Sequence, residues 1–127
     1  MTVKESEKTN EYKEVKKFMD KVMKDFDFGY SISRNGTDSF LVEMEYWSDL
    51  GEDVIISLVV DELSVEEVVH EMYRYEEGFD AEEHATEWFN MHGEHGAPTS
   101  LRALLQDADE QQEVLEKLYD KMLEVRG

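Results

Sequence analysis

Three histidines with neighbouring carboxylates make one short segment the first place to look for a metal site. His84, His92 and His95 lie within twelve residues, and two histidines with one carboxylate form a known metal-ligand set. A zinc-binding helix needs its histidines one turn apart, whereas His92 and His95 flank Gly93 in a predicted loop. We therefore predict no metal site, a packed His84 and two solvent-exposed loop histidines. The acidic neighbours are Glu83, Glu87 and Glu94.

Pairs of carboxylates that could serve acid–base catalysis occur throughout the chain, such as Glu43 with Glu45. Because 32 of the 127 residues are Asp or Glu, such pairs arise by chance and mark no active site. The sequence has no Gly-x-Ser-x-Gly motif, phosphate-binding glycine loop or dinucleotide fingerprint. It also has no cysteine, which excludes thiolate ligands and cysteine nucleophiles. We predict no enzyme activity, no catalytic residue and no cofactor.

Calcium has to be considered in so acidic a chain. An EF-hand loop needs a glycine at its sixth position and a glutamate at its twelfth. Neither Asp49–Asp53 nor Asp107–Glu110 fits that pattern. We expect weak, unspecific divalent-ion binding and no dedicated site.

Acidic residues are concentrated in the middle of the chain. Of the net charge of −19, Asp38–Glu94 contributes −17, from eighteen Asp and Glu against the single basic residue Arg74. A general adaptation to salt would spread acids along the whole chain, so the local excess indicates a partner surface. A charge of this sign repels nucleic acid and anionic lipid and speeds encounter with basic proteins. We therefore predict a basic protein partner, no direct nucleic-acid binding and no membrane binding.

The first half of the chain is predicted to form one helix and three strands. Apolar residues recurring every three or four positions indicate an amphipathic helix that begins at Asn10 and ends at Gly29. Asn35-Gly36 indicates a two-residue type I′ turn, whose two central residues both need positive φ. The predicted strands, paired as an antiparallel meander, are Tyr30–Arg34, Phe40–Trp47 and Val54–Val60.

Alternation along the second strand separates a core face from an outer face. The third strand is almost wholly apolar, so both of its faces are expected to be covered. The predicted core face of the second strand consists of Phe40, Val42, Met44 and Tyr46.

The second half of the chain is predicted to be helical. Ser64 and Glu67 form a capping box, Gly78 ends the helix that follows, and Met91–Ser100 is the predicted loop before a helix that starts at Leu101. The predicted helix N-caps are, in chain order, Ser64, Asp80, Thr99 or Ser100, and Asp107 or Asp109 for a separate final helix.

These elements give the order α-β-β-β-α-α-α, an α+β fold with an N-terminal helix, a three-stranded antiparallel β-meander and three to four further helices. We predict a single domain over residues 1–127, with residues 1–8 frayed and 95–127 forming a C-terminal helical cassette. No apolar run approaches the roughly 18 residues of a membrane helix, and we expect no signal peptide. The predicted location is therefore the cytoplasm.

Two stretches carry a resemblance to known proteins. Phe79–Trp88, and His95–Asp109 with the closing leucine helix, resemble a cassette in small acidic proteins of plasmids, phages and conjugative elements of Gram-positive bacteria. The cassette covers roughly the last fifty residues. Such proteins are similar in size and charge to anti-restriction and anti-CRISPR inhibitors, several of which imitate nucleic acid. The resemblance implies a bacterial host cell, and it assigns no individual inhibitory residue.

The element order supports the same comparison. The α-β-β-β-α order resembles one small acidic Cas9 inhibitor, and its topology also resembles the double-stranded-RNA-binding domain. An RNA-binding domain needs basic residues to neutralise phosphates, whereas the corresponding helix here carries glutamates at positions 66, 67, 71, 76 and 77. RNA binding by that face is therefore excluded.

We accordingly predict an anti-CRISPR-type inhibitor whose acidic, nucleic-acid-mimicking face occupies a basic surface of a Cas9-type nuclease or its guide-RNA complex. The alternative is an anti-restriction protein or a non-enzymatic protein-binding module of a mobile genetic element. The last helix also offers a surface for a homodimer. The predicted partner-binding residues, expected to form one continuous anionic face, are Glu43, Glu45, Asp49, Glu52, Asp53, Glu66, Glu67, Glu71, Glu76 and Glu77.

Overall fold

The computed structural model describes residues 10–92 and 100–127. Its element order confirms the predicted α+β fold with an antiparallel meander. The predictions of a frayed N-terminus and of an exposed His95 lie outside the described residues, and so does the side chain of His92. The prediction that Met91 and His92 begin a loop was wrong, since they are the last two residues of a helix. The helices are α1 (Asn10–Met23), α2 (Val65–Gly78), α3 (Ala81–His92) and α4 (Leu101–Arg126). The strands are β1 (Gly29–Asn35), β2 (Ser39–Trp47) and β3 (Asp53–Val60).

The core lies between one face of the sheet and a layer formed by α1, α2 and α4. Val42 and Met44 of β2 are fully buried, and Phe40 and Tyr46 pack against the same cluster, which confirms the predicted core face of that strand. Helix α3 packs on α4 through a second, smaller cluster. The fully buried side chains that the other elements supply to the main core include Val15, Met19, Ile56, Met72, Leu118 and Met122.

The opposite face of the sheet is open, so the prediction that β3 is covered on both faces was wrong. Exposure alternates along β3, and Ile55 and Val59 are each 45% exposed beside buried Ile56 and Leu58. All the helices that pack on the sheet do so on its other side. Some apolar residues of β3 are therefore exposed to solvent. The spacing of apolar residues in the sequence did not distinguish them from core residues.

Helix α1 ends at Met23, so the prediction that it ends at Gly29 was wrong by about two turns. The Phe26 backbone N–H donates to the Met23 carbonyl at 3.0 Å, closing a turn after the helix. Phe28 then stacks on Tyr46 with ring centroids 4.4 Å apart. Phe26 and Phe28, between α1 and β1, therefore continue the helical spacing of apolar residues although they are not part of the helix.

The first hairpin has a three-residue loop instead of the predicted type I′ turn. Asn35 pairs with Ser39, which leaves Gly36, Thr37 and Asp38 as the loop, and of these only Gly36 has positive φ, at 71°. The Asn35 amide donates to the Ser39 hydroxyl at 3.1 Å, and that hydroxyl donates to the Asn35 carbonyl at 3.0 Å. These side-chain bonds close the longer loop, so a second left-handed residue is not needed.

Residues 101–126 form one continuous helix, so the predicted break at Asp107 or Asp109 was wrong. Asp107 is only 3% exposed, and its carboxylate accepts from the Leu50 N–H of the β2–β3 turn instead of capping a helix. Ser100 is the N-cap, since its hydroxyl accepts from the Ala103 N–H at 3.2 Å. None of the helices in the described ranges combines the length and apolar character that crossing a membrane requires.

Two further caps agree with the sequence. The Ser64 hydroxyl accepts from the Glu67 N–H at 3.2 Å, and the Asp80 carboxylate accepts from the Glu83 N–H at 3.1 Å. The return half of the capping box is not formed, because the Ser64 N–H donates to the Glu62 carbonyl instead. Both α2 and α3 therefore begin at side-chain caps, with carboxylates in the first turn where the helix dipole favours them.

We predict that Met44→Ala lowers the free energy of unfolding by about 2–5 kcal/mol, because the buried side chain leaves a cavity under the helix layer. Urea denaturation followed by circular dichroism measures this. The control Ile55→Ala, on the open face of the same sheet, is expected to cost under about 1 kcal/mol. Equal losses for the two variants would contradict a one-sided core.

Candidate partner-binding surfaces

The open face of the sheet presents apolar and acidic side chains together. Trp47 is 66% exposed, and Ile55 and Val59 lie on the same face of the neighbouring strand. Glu45 lies opposite Ile55, and Asp53 opposite Trp47. This surface, which we call the open sheet face, therefore places carboxylates next to an exposed aromatic side chain. Exposed apolar residues grouped in this way are typical of interaction sites.

No basic side chain neutralises the open sheet face from within the sheet. None of its strand positions carries Lys or Arg. Arg34 belongs to the other face, where its guanidinium lies 5.1 Å from the centroid of the Phe40 ring. Glu43 accepts only a long hydrogen bond from the Ser57 hydroxyl, at 3.5 Å. The carboxylates of this face are therefore available to an external cation.

The five predicted residues of α2 lie on the other side of the sheet. Helix α2 packs its Val68 and Met72 into the core beneath the inner face, so its glutamates do not join Glu43 and Glu45 in one surface. The expectation of one continuous anionic face is thus not met. Two of the α2 glutamates are paired with arginine: Glu71 with Arg74 at 3.2 Å and Glu66 with Arg126 at 3.4 Å.

Another α2 acid, Glu76, lies near acids of α4. Burial and the nearby charges of Glu77, Glu116 and Asp120 raise the pKa of Glu76 above its usual value. Sequence reasoning missed Glu116 and Asp120 because they lie outside the acidic segment. Their four-residue spacing, which places them on one helix face, was the available signal. We call Glu76, Glu77, Glu116 and Asp120 the α2–α4 acidic surface.

The other two predicted residues, Asp49 and Glu52, lie in the turn between β2 and β3, and Glu52 is already hydrogen-bonded within the protein. The Glu52 carboxylate accepts from the Gln111 amide at 2.6 Å and lies 2.8 Å from Nε2 of His84. Gln111 also donates to Asp107 at 3.2 Å, and Asp107 accepts from the Leu50 N–H at 3.3 Å. This polar network joins the β2–β3 turn to α3 and α4. Glu52 therefore has a structural role beside any contact with a partner.

Asp49, at the tip of the same turn, lies beside an acid of α4. A hydrogen bond with Asp49, followed by burial and nearby acids, raises the pKa of Glu110. The turn thus adds negative charge close to Trp47 at the edge of the open sheet face.

Helix α1 carries the opposite charge. Its exposed face includes Lys13, Lys17 and Lys21, exposed Lys24 follows its last residue, and Lys16 pairs with Asp20 at 3.1 Å. The Tyr30 hydroxyl of β1 donates to Asp20, which places this helix over the β1 side of the sheet. The basic residues are therefore separated from the acids of α2, which packs beside β3.

The structure brings no metal ligands together within residues 10–92 and 100–127, where no group of three or more His, Asp or Glu side chains could hold an ion. His84 packs against Phe79, with ring centroids 5.4 Å apart, and contacts Glu52. Its environment is that of a structural residue joined to a carboxylate.

No protein-family model, curated protein or solved structure matches the chain.

We predict that Gln111→Ala lowers the free energy of unfolding by about 1–3 kcal/mol. The carboxylates of buried Asp107 and of partly exposed Glu52 each lose a hydrogen-bond donor. Thermal and urea denaturation measure the loss. Gln112→Ala, one position along the same helix, is the matched control and is expected to change stability by under about 0.5 kcal/mol. A Gln111 variant as stable as the control would show that the network does not stabilise the fold.

We predict that Glu76→Gln stabilises the protein by about 0.2–0.5 kcal/mol near neutral pH, by relieving like-charge repulsion. Because the pKa of Glu76 is higher in the folded state, the folded protein binds more protons than the unfolded chain between the two pKa values. Wild-type stability therefore decreases as the pH rises through that window. The gain should vanish at a pH below the unfolded pKa, where both side chains are neutral.

Denaturation curves collected across this pH range provide the measurement. Glu14→Gln, an exposed acid on the lysine-rich helix α1, serves as the one-charge control and should give no gain. A benefit of Glu76→Gln that persisted in acid would identify its cause as packing instead of charge.

Proposed function

We propose that the protein is an anti-CRISPR-type inhibitor that binds a basic nucleic-acid-binding surface of a Cas9-type effector nuclease. The observation that supports this best is the open sheet face, where Glu45 and Asp53 lie near exposed Trp47, Glu43 lies farther along the same strand, and no strand position of that face carries Lys or Arg. Protein interfaces concentrate their binding energy in aromatic and arginine residues enclosed by polar contacts. An exposed tryptophan among carboxylates suits a partner rich in arginine and lysine.

Acidic residues lie on both sides of the sheet, and this arrangement fits a partner with a channel better than a partner with a flat binding patch. The open sheet face points one way, and the α2–α4 acidic surface belongs to the helix layer on the other side of the sheet. Effector nucleases of this class hold a guide–target duplex in a positively charged channel, which they recognise through its backbone. A protein of 127 residues with acids on both sides can meet basic walls on both sides.

The arrangement of charge on the sheet supports mimicry of a phosphate backbone. Glu43 and Glu45 point to the same face of β2, and alternate residues of a strand are separated by about 6.6 Å. The strand thus holds its charges in a row on a rigid support. Because strand positions are fixed by the sheet, little conformational entropy is lost when the partner binds.

We predict that reversing the three open-face acids to lysine abolishes inhibition of the target nuclease and weakens binding by about 100-fold or more, since several charge contacts become repulsive. Binding is measured by biolayer interferometry and inhibition by cleavage of a plasmid substrate. A matched control reverses three exposed acids elsewhere: Glu11, Glu14 and Asp109. This control changes the net charge equally, so full activity there would show that the location of the charge matters.

Competition distinguishes mimicry from other modes of binding. A nucleic-acid mimic should lose binding when the effector is first loaded with guide and target nucleic acid. Binding that survives such loading, or open-face reversals that inhibit as well as the wild type, would contradict the mimic. If the protein does not bind the nuclease but inhibits a restriction enzyme, the anti-restriction alternative is established.

A further inference from the structure

A cavity of about 280 Å³ opens beside β3, between the β2–β3 turn and the helix layer. Three aromatic side chains line it: Tyr46 of β2, Tyr75 of α2 and Phe79, which follows α2. The Glu52 carboxylate lies in the same wall, beside Gln111 and His84. The volume is below the range of about 300–1,000 Å³ typical of small-molecule sites. It therefore suits one side chain or one small ion.

The walls of this cavity lie in a negative field. Burial, followed by the charges of Asp107 and Glu52, raises the pKa of Tyr46. Burial and the charge of Glu52 also raise the pKa of Tyr75. Burial is the larger cause of both shifts, and the part that comes from the Glu52 and Asp107 carboxylates is the part that also favours a cation.

Hydrogen-bond acceptors in the cavity wall are incompletely used. The Tyr46 hydroxyl is buried and has no hydrogen-bond partner among the described residues. The Tyr75 hydroxyl donates a long bond of 3.4 Å to the Ile55 carbonyl. Glu52 accepts from Gln111 and contacts His84, yet a carboxylate offers about four lone-pair sites. A ligand rich in N–H donors would use the remaining acceptors.

We propose that this cavity binds the guanidinium group of an arginine side chain. The group is planar, stacks on aromatic faces and carries five N–H donors, so it matches three rings next to carboxylate and hydroxyl acceptors. A lysine ammonium is strongly hydrated and cannot stack in this way. That this arginine belongs to the target nuclease rests on the proposed function. Surfaces that read nucleic acid use arginine side chains to contact bases.

The site is placed to extend the open sheet face. Asp53 belongs to both, since it lies opposite Trp47 on that face and also lines the cavity. An arginine entering beside Asp53 would insert next to the surface where Trp47 contacts the partner. The polar network holds Glu52 in place before binding, so the acceptor needs no rearrangement.

The experiment is a titration of the isolated, isotope-labelled protein with N-acetyl-arginine amide, followed by NMR. We expect saturable shifts of Tyr75, Phe79 and Asp53. N-acetyl-citrulline amide is the neutral isostere, and N-acetyl-lysine amide has the same charge without the planar group. Both should bind at least about tenfold more weakly than the arginine probe. Equal binding of the arginine and lysine probes, or shifts spread over all acidic residues, would overturn the proposal.

Two variants locate the binding. Tyr75→Leu removes one stacking face, and Phe79→Leu removes another. Each should weaken binding of the arginine probe by about tenfold, whereas Glu14→Gln on α1 should leave it unchanged. Phe79→Leu decides the question if Tyr75→Leu does not fold. Unchanged binding by a folded cavity variant would place the probe elsewhere and refute the site.

The two proposals can fail separately. The probe titration contains no nuclease, so a negative result removes the arginine site and leaves the inhibition assays unaffected. Conversely, if the protein binds the arginine probe in the cavity but inhibits no nuclease, the arginine site is supported and the proposed nuclease target is refuted.

Discussion

The hydrogen bond from the Leu50 N–H to Asp107 is the contact on which the functional surfaces depend. It joins the central helix α4 to the β2–β3 turn, and the same aspartate is linked through Gln111 to Glu52 and so to His84. Buried carboxylates are costly unless each is hydrogen-bonded. Once the network forms, the turn has one position relative to the helices. That position fixes Trp47 on one side and the aromatic cavity on the other.

Charge imposes the second constraint on the fold. With 32 acids and 13 bases, most carboxylates have no cation to pair with, and among the acids that the structure describes only Asp107 is buried. The observed ion pairs are mostly exposed and contribute little to stability. Stability therefore comes from the apolar layer between sheet and helices, while repulsion such as that around Glu76 acts against it. The surface can be strongly anionic because the core does not depend on it.

Local patterns identified most of the fold. Alternation in β2 predicted which of its side chains are buried, and Ser64, Asp80 and Ser100 marked helix starts, since a cap is a property of a few neighbouring residues. The errors occurred where tertiary contacts override a local pattern. Asp107 has the residue type of an N-cap but lies inside a helix, where the β2–β3 turn uses its carboxylate.

The same limit applies to the surfaces. Ile55 and Val59 are apolar like core residues, yet none of the helices in residues 10–92 and 100–127 covers them. The acidic segment could be counted from the sequence, but its division between two sides of the sheet could not, because this depends on which face the helices cover. The cavity joins residues 46, 52, 75 and 79, which are separated along the chain and share no motif.

The separation of charge between α1 and the rest of the molecule also governs how it approaches another surface. The lysines of α1 lie over the β1 side of the sheet, whereas α2 with its glutamates packs beside β3. The protein therefore has an electric dipole across the sheet in addition to its net charge. In the field of a positively charged cleft, this dipole turns the molecule during diffusion so that the lysine-bearing helix trails and the acidic side arrives first. Orientation before contact raises the fraction of productive encounters, and added salt removes this advantage by screening the field.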